Sequence, residues 1–202
     1  MAPPRSPKQL RAKRTRRELL AAARQVFARQ GYEGATVEDI ARAAGCSKGA
    51  YYFHFASKEE TLVALLDAWI ADRSRRLAHA GAAQPDGLVP AVTKAISWEE
   101  SGWEAGLLVE FWSQAQRNEG VRHRLVQAYT SWQATLAGVI ARAAGKDGAA
   151  PLIPPQASAA AMFALADGLA LQSCLRARGA SAYQTAAAFG LLARPGSLRR
   201  AG

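Results

Sequence analysis

The residues best equipped for chemistry in this chain lie between Thr36 and Lys58. Ser47, Lys48, Gly49 and Ala50 set one long cation among three small residues. Tyr51, Tyr52 and His54 follow with hydrogen-bond donors and flat rings. That mixture suits a polyanionic wall. Small side chains permit close approach, the ammonium supplies charge, and hydroxyl and imidazole groups donate to phosphate oxygens. Lys48 is the only long side chain at the start of the run, so it either reads a guanine edge or holds a phosphate. The sequence contains no nucleophile elbow, no His-Glu-x-x-His, no phosphate-binding glycine loop and no Cys/His cluster. The expectation is therefore a non-enzyme, with no cofactor and no metal.

Such a run must be presented by short, well-capped helices. Val37, Ile40, Ala41 and Ala44 give the i, i+3, i+4, i+7 stripe of a helix that starts at Thr36. Thr36 is a good N-cap, and Asp39 three residues on makes a capping box with a shorter acid. Gly45 ends that helix, and Ser47 caps another through about His54. Two short helices about a glycine turn are the mechanics of a helix-turn-helix. Upstream, Leu20, Ala23, Val26 and Phe27 predict a helix that Gly31 stops. Downstream, Ser57 and Glu60 form a capping-box pair before Leu62, Leu65, Leu66 and Trp69, in a helix reaching about Ala80. Further helices are expected at 87–97, 102–117, 119–144, 156–178 and 181–193. The fold class is thus all-α, with about nine helices. The expected division is a disordered basic arm at 1–13, a helix-turn-helix domain at 14–57, a helical ligand-binding and dimerisation domain at 58–194, and a disordered tail at 195–202.

Charge agrees with an anionic partner at the N-terminal end. The 202-residue chain carries a formal net charge of +10. Residues 1–17 hold seven Lys or Arg and no acid, and residues 1–60 hold twelve bases against six acids. Half the residues are hydrophobic, enough for a sizeable core. Two cysteines far apart, Cys46 and Cys174, suggest no disulfide framework and fit a reducing cytoplasm. Cys46 reads as a small turn residue. No secretory leader is visible, and no run of about 20 apolar residues exists to span a membrane.

Phe27, Gly31, Thr36, Ile40, Ala41, Ala44, Gly45, Gly49, Tyr52, Phe53, Phe55, Lys58 and Leu62 together resemble the signature of the TetR family of bacterial transcriptional regulators. The resemblance covers about residues 14–65. It implies a one-component regulator of double-stranded operator DNA, most simply a repressor released by a small molecule. It also implies roles. Thr36 would contact phosphate through its hydroxyl and nearby amides. Ser47, Lys48, Gly49 and Ala50 would form the groove-facing start of the recognition helix. Tyr51 would touch phosphate or a thymine methyl, and Tyr52, His54 and Lys58 would grip phosphates. Phe53 and Phe55 read as core residues.

The C-terminal part resembles the BetI-like branch through Leu107–Trp112, Tyr129, Trp132 and Ala166–Gln172. Trp103, Leu107, Glu110 and Phe111 share a helical face, as do Phe163 and Asp167. A carboxylate on an aromatic stripe is costly unless paired. Glu110 and Asp167 are therefore each either paired to an arginine of another helix or in contact with a ligand. With Trp98 and Trp132 they outline an expected site for an aromatic or cationic effector. Met162, Leu165, Leu169 and Gln172, then Tyr183, Ala187 and Leu191, form slim apolar stripes that suit a homodimer across a twofold axis.

Overall fold

A computed structural model of the chain describes residues 7–82, 88–96, 103–146, 153–174 and 187–190. Every regular element among them is helical. In chain order these are α1 (Pro7–Gly34), α2 (Val37–Ala43), α3 (Lys48–His54), α4 (Lys58–Gly81), α5 (Leu88–Ile96), α6 (Trp103–Ala115), α7 (Glu119–Lys146) and α8 (Pro155–Cys174). Residues 187–190 are also helical. The all-α reading with about nine helices therefore holds. Among the described residues no helix is long and apolar enough to cross a membrane.

One expectation needs correction. Residues 7–13 belong to α1 rather than to a disordered arm. Pro7 takes the first helical position, where its missing N–H costs nothing, and the Gln, Leu, Arg, Ala and Lys residues after it are good helix formers. Gly31 does stop the first run of helix, as expected. It breaks α1 at φ 72°, ψ 165°, and one further helical turn runs to Gly34. A positive φ is open to glycine without the Cβ clash other residues meet there.

α1 packs on α2, α4 and α6, while α4, α6, α7 and α8 build the bundle with α5 against α4. Leu19, Ala23, Phe27, Ile40, Tyr51, Phe55, Leu62 and Leu66 form the core beneath the helix-turn-helix. Trp69, Phe111, Trp132 and Phe163 form the centre of the bundle. The two regions share one continuous core through α4. A displacement in the bundle therefore has a packed route to the short helices.

Candidate nucleic-acid interface and its junction with the bundle

Local caps set α2 and α3. Thr36 Oγ1 accepts from Asp39 N at 3.1 Å, and Asp39 Oδ2 accepts from Thr36 N at 3.2 Å, so the shorter acid completes the box. The Thr36 hydroxyl donates to the same carboxylate at 2.6 Å and is thereby engaged as a cap. This hydroxyl bond, first among several, holds the Asp39 carboxyl below its usual range. Gly45 turns the chain at φ 68°. Ser47 Oγ then accepts from Ala50 N at 3.1 Å and starts α3. Cys46 sits in that turn half-buried, and burial raises its thiol pKa, which keeps it a neutral packing residue.

α3 divides its side chains cleanly. Ser47, Tyr51 and Phe55 lie four residues apart, and the two aromatics are buried. Tyr51 is thus corrected from a DNA contact to a core residue. Its hydroxyl donates to Ser57 O at 3.1 Å, it also bonds to Thr61 Oγ1, and burial raises its pKa. Phe53 is corrected the other way. It is 76% exposed, edge-on to His54, and stands beside the half-exposed Tyr52. Ser47, Lys48 and Gly49 are exposed, and Ala50 and His54 are partly so. The outward face of α3 is therefore Lys48, Gly49, Tyr52 and Phe53. Lys48 pairs with Glu38 of α2 and lies 5.9 Å from the Tyr52 ring. The Glu38 partner raises the Lys48 pKa, so the ammonium is fully charged. Arg11, Lys13, Arg14, Arg16 and Arg17 are exposed on α1, and Arg16 stacks 4.9 Å from the Phe55 ring at the end of α3.

Lys58 is corrected as well. Its ammonium donates to Tyr32 O at 2.7 Å and Ala35 O at 2.9 Å, and lies 4.4 Å from the Tyr32 ring. A cation here stabilises the carbonyl end of α1 rather than waiting for a phosphate. Glu110 of α6 grips the same turn from the other side, accepting from Tyr32 N at 2.9 Å. Gln114 of α6 donates to Glu33 at 3.3 Å, and Asn118 donates to Glu59 of α4 at 2.6 Å. Glu110 is therefore a domain-junction residue and not a pocket residue. Sequence periodicity could not show this, because its partner lies 78 positions away.

The remaining expected ligand residues fall elsewhere. Leu107, Phe111, Trp132 and Phe163 are buried core residues. Asp167 is 4% exposed, accepts from the Tyr129 hydroxyl at 2.6 Å, and lies 3.9 Å from the guanidinium of the buried Arg73. It takes the paired alternative. Burial, then the Asp167 charge, pushes the Tyr129 pKa far up, so the phenol stays protonated as the donor. Trp103 opens α6, but its side chain, like the whole of Trp98, lies outside the described residues. An outward groove of about 530 Å³ lies between α6 and α7, walled by Trp112, Gln116, Arg122, Leu125, Val126 and Tyr129 among others. Exposed Trp112 (37%) and Val126 (56%) were the available signal for it.

Among the dimer residues, Met162 is buried within the protomer and cannot meet a partner. Leu165 and Leu169 are half-buried, Gln172 is exposed, and Ala187 is exposed at the start of residues 187–190. Tyr183 and Leu191 lie outside the described residues.

Comparison with known proteins agrees with this geometry. Residues 19–65 match the bacterial regulatory proteins of the tetR family, and residues 91–191 match the C-terminal domain of BetI-type transcriptional repressors. The A-factor receptor protein of Streptomyces griseus is 50% identical over 60 residues, 30% of this chain and 22% of that one. The transcriptional repressor AcnR of Corynebacterium glutamicum is 49% identical over 51 residues, 25% of this chain and 27% of that one. The chain thus spans about a quarter of the length of these curated relatives. A Saccharomonospora viridis transcriptional regulator crystallised with choline superposes with a TM-score of 0.74 at 25% identity, covering 88% of this chain and 94% of that one. GusR of Salmonella enterica superposes at 0.65 with 29% identity, covering 88% and 95%. These relatives are regulators and not enzymes. With a helix-turn-helix match at one end and a repressor-type match over the other, this chain belongs to the TetR family of DNA-binding transcriptional regulators.

Proposed function

We propose that the protein is a cytoplasmic homodimeric repressor that leaves a palindromic operator when a small molecule enters the α6/α7 groove. The observation that carries the DNA half is the exposed face of α3, with Lys48, Gly49, Tyr52 and Phe53 outward and Tyr51 and Phe55 locking the helix to the core. Lys48, Tyr52 and His54 hold phosphates and Phe53 lies against the sugar edge. Few side chains reach base edges, so DNA shape contributes much of the selectivity. The exposed bases of α1 add a sequence-independent grip.

Dimerisation is supported by the outward stripe of α8. Ala157, Ala161, Ala164, Leu165, Gly168, Leu169 and Gln172 follow helical spacing, are exposed or half-exposed, and carry no charge. An uncharged stripe of small residues lets a second helix approach closely. A twofold axis then requires an inverted repeat with half-sites about one DNA turn or a multiple of it apart.

The input is supported by the position of α6. It lines the groove with Trp112 and Ala115 and holds the α1 turn with Glu110 and Gln114. A ligand that fits one setting of α6 better than another biases the junction, and with it the spacing of the recognition helices. The choline complex of the Saccharomonospora viridis relative supports a small-molecule input in this fold.

Selection from a random duplex pool tests the reading. It should return an inverted repeat bound by a dimer, and Lys48→Ala should weaken binding and lower the salt slope by about 1. Equal affinity for selected and random duplexes would refute sequence-specific repression.

A further inference from the structure

Arg73 of α4 stands inside an aromatic box. Its guanidinium carbon lies 5.7 Å from the Trp69 ring, 5.4 Å from the Trp132 ring and 5.4 Å from the Phe163 ring. Asp167 closes the box at 3.9 Å, and the Tyr129 hydroxyl anchors the other oxygen of that carboxylate at 2.6 Å. The Trp132 indole is fixed in turn by Ser74 at 2.9 Å. Arg73 and Asp167 are 1% and 4% exposed. Ring faces with one carboxylate are the chemistry that receives a guanidinium or a quaternary ammonium. A second cation entering this space would meet the Arg73 charge where water cannot screen it.

Tyr129 joins this box to the groove. Its ring packs on Trp132 and Phe163 at 5.3 and 6.1 Å, and the same side chain lines the groove. The groove itself is lined by Trp112, Leu125, Val126, amides and Arg122, with no acid among its lining residues. Arg122 meets the exposed Glu119 at 2.6 Å, a surface pair that a carboxylate ligand could replace.

We propose that Arg73 is a specificity-determining residue of the sensing domain: it fills the cation cage as the protein's own ligand and restricts effectors to uncharged or anionic molecules seated in the groove. The restriction rests on the groove reading; the cage does not.

The test compares full-length wild type with Arg73→Ala in thermal melts and tryptophan fluorescence. Methylguanidinium chloride and tetramethylammonium chloride are added at millimolar concentration against sodium chloride of equal ionic strength. Arg73→Ala should melt well below wild type, and methylguanidinium should restore several degrees where sodium chloride restores none. Wild type should not respond to either cation. The double variant Arg73→Ala with Asp167→Asn should lose the rescue. If Arg73→Ala does not fold alone, its refolding yield with and without methylguanidinium becomes the readout. No rescue in either format, or equal rescue by sodium chloride, overturns the cage. Release of wild type from its operator by choline or methylguanidinium overturns the restriction. Failure of the groove reading shows separately, as effector release unchanged by Val126→Glu, which blocks the groove and leaves the cage intact.

Discussion

At the DNA-binding end Lys48 and Glu38 pair on an open surface; in the bundle Arg73 and Asp167 pair in the core among aromatic rings. The first pair is exchangeable. Water and salt screen it, and a phosphate can take the place of Glu38. The second pair is structural. Once both charges are out of water, losing either partner strands the other. Polar residues therefore mean different things in the two regions, and the same residue type is exposed to solvent in one and a packing element in the other. Tyr51 and Tyr52 make the distinction within one helix turn, one tied to Ser57 and Thr61 and the other half-exposed.

Substitutions can break this contrast. Asp167→Ala should cost the most, about 3–5 kcal/mol by urea unfolding, since it leaves the guanidinium buried without its carboxylate. A loss no larger than a surface substitution gives would place the pair outside the core's energetics. Tyr51→Phe should cost about 1 kcal/mol by removing the hydroxyl that meets Thr61 Oγ1 and Ser57 O, since the Ser57 carbonyl still accepts from Thr61 N and Oγ1. Operator affinity of the folded variant should not change, whereas a phosphate contact would lower it. Ser57→Ala, which removes the α4 cap to Glu60 N, should cost about 1 kcal/mol in the same assay. Glu38→Gln should raise DNA affinity roughly threefold by freeing Lys48, with no change in melting temperature. Reduced affinity would instead make Glu38 part of the interface.

The smallest effect is on pH. Asp39 has a folded pKa below its ordinary 3.8, so its capping bond is complete above that value and is lost as pH falls through the lowered one. The Thr36 amide resonance, followed from about pH 5 downward, should move only in the acid limb. Movement starting above the ordinary carboxylate range would point to another group.

What the sequence disclosed follows from how far each interaction reaches along the chain. Thr36, Ser47 and Ser57 act on residues three positions away, so the starts of α2, α3 and α4 were legible. Only the Glu60 side chain differs, returning to Ala56 N rather than to the cap itself. The burial of Tyr51 is legible too, in the Ser47, Tyr51, Phe55 spacing rather than in the hydroxyl. Arg73 interrupts the stripe Leu62, Leu66, Trp69, Leu77, Ala80, where a lone cation signals an internal partner. Lys58 and Glu110 could not be placed, because their partners are 26 and 78 residues away and are backbone groups of a broken helix. Backbone atoms carry no residue identity for a sequence pattern to reveal.

That broken turn also bears on building hybrid sensors. Exchanging DNA-binding heads between related proteins is naturally attempted by cutting the chain between α3 and α4. Here such a splice would import a foreign end of α1 against Lys58, Glu110 and Gln114, each fitted to the geometry that Gly31 creates. A graft that carries a glycine at the same place, followed by a residue whose N–H is free, keeps the new head in mechanical register with the old bundle. One that lacks it would leave Lys58 and Glu110 without the turn they hold.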